Sequence, residues 1–213
     1  GGGEVKLVDL VGAYSVLSTE GVLHKQTMIL EVRDSRGEIL ESYKDQSREV
    51  IDPEYPRLVN NILSDADLRS GLYQNSLYLT VFPDHDVALK TGTSNDYRDA
   101  WIVGYTPTLT VGVWAGNNDN SPMQKHGSSI LAALPMWHEF MAEALRLEPP
   151  DTFNKPAPLT PEKLILAGDY SSAGIHSLLY YINPKDPLGP PPLNPEDNNQ
   201  FKNSEHPVLE WEK

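Results

Sequence analysis

Lys90-Thr91-Gly92-Thr93 is the densest run of potential chemistry in the chain, and it follows directly on the apolar stretch Val87-Ala88-Leu89. These residue types make an anion clamp. Lys90 supplies a cation, and Thr91 and Thr93 supply hydroxyl donors. Gly92 has no side chain, so a ligand can approach the backbone closely there. Taken alone, the same four residues are more commonly an edge strand that ends in a solvated turn.

The remaining candidates are weaker. The 6 histidines are scattered, and none forms a His-Glu-x-x-His pair, so surface or core-neighbour roles are the default. Asn117-Asn118-Asp119-Asn120 has carboxamides and a carboxylate but lacks the glycine and distal glutamate of a calcium loop, and reads as a polar turn. Trp101 and Trp114 fall on neighbouring strand candidates, where core packing is the usual role and lining a cleft the alternative. Asp96, Arg98 and Asp99 make a charged loop whose default is solvation. No Gly-x-Ser-x-Gly elbow is present.

Bulk properties narrow the classes. The net charge is −13, from 30 acidic and 17 basic residues, which argues against nucleic acid and against a polybasic membrane patch. With no cysteine there is no disulfide, thiolate nucleophile or zinc–thiolate site, and no cofactor or metal is expected. No apolar run reaches the length of a membrane span, and no signal peptide is visible. The first residues are Gly1-Gly2-Gly3, read as a chain cut from something longer.

The elements that must position the clamp alternate. Leu7 to Ser18 has helical apolar spacing, with Gly21 as a stop. Thr27 to Arg33 and Glu38 to Tyr43 read as two strands joined through Asp34-Ser35-Arg36-Gly37. A helix is expected from Pro53 through Leu63, or on to Leu68. Three strands follow, at Val87 to Thr91, Ala100 to Tyr105 and Leu109 to Ala115, the last two joined by Thr106-Pro107. Ser129 is expected to cap a long amphipathic helix through about Leu147, with Pro135 in its first turns. This order predicts an α/β (α+β) fold in which helices cover an antiparallel sheet. Of the 18 prolines, 12 fall at or after Pro149, so 1–148 reads as the folded domain and 149–213 as a Pro-rich extension, extended or disordered.

The flanks of the clamp give it a family context. It is followed by Asp99-Ala100-Trp101-Ile102-Val103-Gly104-Tyr105-Thr106-Pro107 and Val111-Gly112-Val113-Trp114-Ala115-Gly116-Asn117. Upstream stand Gly1-Gly2-Gly3-Glu4-Val5 and Leu10-Val11-Gly12-Ala13-Tyr14; downstream, Ala132-Ala133-Leu134-Pro135-Met136-Trp137. Over about residues 1 to 147 this pattern resembles the C-terminal part of the transpeptidase domain of class A penicillin-binding proteins, the bifunctional peptidoglycan synthases. The resemblance implies a partial penicillin-binding-protein/β-lactamase-like fold. It also implies serine acyl transfer in the parent protein, with the stem peptide of peptidoglycan as substrate and β-lactams as inhibitors. Lys90, Thr91 and Thr93 would hold a terminal carboxylate, and the Thr93 N–H would supply half of an oxyanion hole. The parent would be anchored to the plasma membrane and act outside the cytoplasm.

The chain departs from that family at two motifs. No lysine has a serine three residues before it, and no asparagine has a serine two residues before it, so Ser-x-x-Lys and Ser-x-Asn are both absent. No catalytic residue is therefore assigned, and the chain alone is expected to be inactive. The implied partner is the missing N-terminal half of the same domain, without which exposed sheet edges and apolar helix faces would favour aggregation. A non-catalytic carboxylate-binding module and a split-gene complement are the alternatives. A β-lactamase relative fits less well, since it needs the same missing serine.

Overall fold

The computed structural model describes residues 3–124, 127–158, 182–187, 189–194 and 197–211. The chain divides into two units, Gly1–Pro156 and Ala157–Lys213.

Three antiparallel strands organise the first unit: β5 (Ala88–Thr93), β6 (Asp99–Tyr105) and β7 (Thr110–Gly116), in the order β5-β6-β7. They are preceded by four short strands, β1 (Val22–Leu23), β2 (Glu31–Arg33), β3 (Ile39–Ser42) and β4 (Arg48–Glu49), in two separate pairs. All three strands expected for the main sheet are present. The Thr106-Pro107 turn is held by the Thr106 hydroxyl, which accepts from the Thr108 and Leu109 N–H groups at 3.2 Å each.

Side chains alternate across this sheet. Leu89, Ile102 and Ala100 pack on one face against helix α4 (Ser129–Leu145), whose Leu134, Trp137 and Met141 are fully buried. Ala88 and Tyr105 face the other way, toward Tyr14 and Leu17 of helix α1 (Leu7–Ser18). Two glycines permit the close approach of the helices. A β-carbon on Gly104 would lie 2.1 Å from Trp137 Cζ2, and one on Gly112 would lie 2.4 Å from Val11 Cγ2.

Helix α1 has the bounds its spacing predicts. The chain leaves it through positive-φ residues Glu20 and Gly21 (φ 54° and 98°), and Gly21 packs against the Ile51 carbonyl where a β-carbon would clash at 2.1 Å. Helix α2 (Glu54–Leu63) does not run on to Leu68. Asp65 interrupts it, its carboxylate accepting from the Asp67 and Leu68 N–H groups at 2.8 and 3.0 Å to start a separate helix α3 (Ala66–Tyr73). A 3₁₀ turn, Gln74–Thr80, follows. Neither α3 nor this turn is foreseen from periodicity.

Helix α4 also corrects its expected ends. Ser128 occupies the N-cap position, Ser129 is the first helical residue, and the helix ends at Leu145 rather than Leu147. Pro135 lies within it as expected. The 27–43 hairpin forms, but its strands are shorter than expected and carry a bulge between Val32 and Arg33. Its apolar side chains, among them Met28, Leu30 and Leu40, are exposed.

Residues 149–156 do not leave the first unit. Asp151 Oδ1 sits 2.8 Å from His85 Nδ1, Asp151 Oδ2 accepts from the Thr108 hydroxyl at 2.9 Å, and Phe153 is buried. In the second unit, Asn199–Trp211 is helix α5, with Pro207 inside it, where an extended or disordered tail was the expectation. The Asn198 side chain accepts from the Gln200 N–H at 2.8 Å and so caps its start, a local signal that the proline count obscured. The segment Ile175–Tyr181, which resembles extensions of some family members, lies outside the described residues.

Candidate functional site

The clamp occupies β5, which is an edge strand among the described residues. Its register with β6 pairs Lys90 with Val103, Thr91 with Ile102, Gly92 with Trp101 and Thr93 with Ala100. Alternation therefore divides the clamp. Lys90 and Gly92 share the α1 face with Ala88, while Thr91 and Thr93 share the α4 face with Leu89. A ligand that meets all four residues must lie along the strand's outer edge rather than on either face.

Backbone groups at that edge follow the same alternation. The Ser94 N–H donates inward to the Asp99 carbonyl at 3.0 Å. One residue earlier, the N–H of Thr93 must point outward, and so must the N–H and C=O of Thr91. The Lys90 ammonium confirms the second direction by donating to the Thr91 carbonyl at 2.7 Å.

Each clamp hydroxyl is backed from behind by a helix residue. The Tyr73 hydroxyl, on the last residue of α3, donates to Thr91 Oγ1 at 3.3 Å. Tyr73 is buried, and burial pushes its phenol above the usual range, so it remains a proton donor. On Thr93, Oγ1 accepts from the Ser129 N–H at 3.0 Å and bonds the Ser129 hydroxyl at 3.2 Å. Ser128 makes no side-chain cap, so the strand hydroxyl takes over that task for α4.

A groove of about 710 Å³ runs beside the clamp on the α1 side, where Val5, Leu10, Tyr14 and Trp101 meet Lys90 and Gly92. Its far rim is the Ser94–Asp99 loop. This loop is more ordered than a solvated default. Asp99 accepts from the Ser94 hydroxyl at 2.7 Å and from Trp114 Nε1 at 2.9 Å. These two hydrogen bonds, Ser94's first, hold its carboxyl below the usual range. Asp96 and Tyr97 adopt positive φ (58° and 56°), which turns the chain sharply between β5 and β6. Trp101 and Trp114 stand opposite each other with ring centroids 6.4 Å apart, Trp101 lining the groove and Trp114 bracing Asp99.

The three histidines described in the first unit have partners away from the clamp. His24 meets Asp45, His85 meets Asp151, and His138 meets the Leu79 carbonyl. Asn117 and Asp119 form the expected polar turn, bonding to Ser121 and Pro122. Among the described residues, no group of three or more His, Asp or Glu side chains is placed to hold a metal ion, and no helix is long and apolar enough to cross a membrane.

Sequence reasoning missed Tyr73 and Ser129. Tyr73 lies in a helix that periodicity does not reveal, and Ser129 reads from sequence as a local helix cap. The signal available was chemical: two neighbouring threonine hydroxyls at a strand end need partners.

The three-stranded antiparallel sheet between α1 and α4, with its Lys-Thr-Gly-Thr edge, has the fold of part of a penicillin-binding transpeptidase domain. The structure of penicillin-binding protein 1A from Haemophilus influenzae matches 72% of this chain and 28% of its own length, with a TM-score of 0.63 and 18% sequence identity. In sequence the chain is a relative of the class A penicillin-binding proteins. It is 32% identical over 171 residues to penicillin-binding protein 1A of Aquifex aeolicus (strain VF5), covering 78% of this chain and 23% of that protein. It is also 32% identical over 199 residues to penicillin-binding protein 1A of Mycolicibacterium smegmatis, covering 88% and 22%. The chain thus spans less than a quarter of the length of these relatives. No protein-family model matches it.

Proposed function

We propose that this chain is the carboxylate-holding part of a serine D,D-transpeptidase site that cross-links peptidoglycan. One observation carries the reading. On the edge of β5, unpaired among the described residues, the outward Thr93 N–H lies beside an open groove, with the Lys90 side chain on one face of the strand and the Thr91 and Thr93 hydroxyls on the other. A stem peptide ending in D-alanine would lie along this edge. Its carboxylate would meet the clamp hydroxyls and the Lys90 charge. The Thr93 N–H would face the oxyanion that forms when a serine attacks the preceding carbonyl.

The attacking serine must come from elsewhere, because Ser-x-x-Lys and Ser-x-Asn are absent from these residues. In this reading those motifs belong to the N-terminal half of the same domain, in a parent anchored to the plasma membrane with its catalytic site outside the cytoplasm. β-Lactams would occupy the same edge as the peptide they mimic.

Labelling with a fluorescent penicillin tests this. The chain alone forms no covalent adduct. Mixed with a polypeptide carrying the Ser-x-x-Lys and Ser-x-Asn segment of the domain, it restores labelling of that partner, and Lys90→Ala weakens the restored labelling. A stable adduct on the isolated chain, or labelling of the mixture indifferent to Lys90, contradicts the reading.

A further inference from the structure

We infer that Ser129 is a positioning residue for carboxylate recognition, directing the Thr93 proton toward the ligand; this rests on the reading of β5 as the carboxylate edge.

A threonine hydroxyl has one proton and two lone pairs. One lone pair of Thr93 Oγ1 is taken by the Ser129 N–H at 3.0 Å. The Ser129 hydroxyl, 3.2 Å away, takes part in the only other bond at this oxygen among those formed by the described residues. In the free protein the Thr93 proton points to Ser129 Oγ. A carboxylate has no proton to give and demands one from Thr93. Thr93 meets that demand without losing its contact if the two hydroxyls rotate together. Ser129 Oγ–H then donates to the second lone pair of Thr93, and the Thr93 proton turns outward to the ligand.

Both lone pairs are thereby occupied, so the proton has no competing direction. Two donors feeding one oxygen also strengthen the bond that this oxygen donates. Ser129 is 5% exposed while Thr93 is open to solvent, so water is excluded from the rear of the pair but not from its front. A carboxamide-ended ligand offers its own N–H as well as a carbonyl, and gains less from a hydroxyl locked as a donor. The pair therefore acts on discrimination between carboxylate and carboxamide rather than on binding as a whole.

Ser129→Ala separates this role from a structural one, because the residue's backbone N–H, which ties α4 to the strand, survives the substitution. The test titrates the 213-residue chain with N-acetyl-D-alanyl-D-alanine and with its C-terminal amide, following the Gly92 and Thr93 amide resonances. In Ser129→Ala, carboxylate affinity falls about threefold to tenfold, as expected for weakening one charge-assisted hydrogen bond. Affinity for the amide stays nearly unchanged, and Ser129→Thr, which keeps the hydroxyl, restores the preference. Equal losses for both ligands, or no loss for either while Lys90→Ala abolishes binding, overturn the role of Ser129 and leave the carboxylate edge standing. Absence of wild-type binding overturns both.

Discussion

The Tyr73 phenol and the Thr91 hydroxyl lie 3.3 Å apart, and this bond joins α3 to the middle of the proposed binding edge. Tyr73 is 4% exposed, so no water readily takes its place. Tyr73→Phe keeps the ring and removes the donor. We expect a stability loss of about 1 kcal/mol, read from denaturant unfolding, together with weaker carboxylate binding. Binding equal to wild type would show that Thr91 needs no orientation.

A second buried bond holds the opposite face. The Tyr105 hydroxyl donates to Asn60 Oδ1 at 2.8 Å, and Asn60 Nδ2 donates to the Leu17 carbonyl at 2.9 Å. Asn60→Ala strands both partners in the core, and a loss of about 3 kcal/mol is expected on chemical denaturation. Tyr105→Phe strands only one acceptor, and its cost should be clearly smaller. Equal costs would mean that the Leu17 contact contributes nothing.

Gly104 tests the packing of α4. The methyl of Gly104→Ala would enter the Trp137 ring, 2.1 Å from Cζ2 and 3.1 Å from Leu89 Cβ. Relief requires moving α4 or β5, and destabilisation of about 3 kcal/mol or somewhat less is expected in a thermal melt. An unchanged melt would place Trp137 elsewhere.

Asp99 gives the rim loop a pH dependence. Its folded pKa lies below its unfolded value because Ser94 and Trp114 donate to the carboxylate. The resulting stability is fully present above the unfolded pKa of about 3.9 and is lost as pH falls through the lower folded value. Trp114 fluorescence followed during acid titration should change in that window, and Asp99→Asn should flatten the change. A transition centred near neutral pH would point to a histidine instead.

The sequence made the sheet and its two covering helices legible because their apolar periods are regular and their turns are marked by Thr106-Pro107 and Gly21. Helix α3 escaped because Ala66–Tyr73 is short and its start depends on the Asp65 carboxylate rather than on an apolar stripe. Helix α5 is hidden because abundant proline points to extended chain, although Pro207 is tolerated within it. At the site, residue types revealed the clamp itself. Its supports were not legible, since Tyr73 lies 18 and Ser129 lies 36 residues from their partners. Only the folded chain brings them behind the strand.

The most direct test of the carboxylate edge is an amide-resonance titration of the wild-type chain and of Lys90→Ala with N-acetyl-D-alanyl-D-alanine. In the wild type, saturable shifts should map to residues 90–94 and to the Asp99 loop, and Lys90→Ala should reduce affinity by about tenfold or more. Shifts that map away from β5, or an affinity that survives the loss of Lys90, would contradict the assignment of Lys90-Thr91-Gly92-Thr93 as the substrate-binding edge.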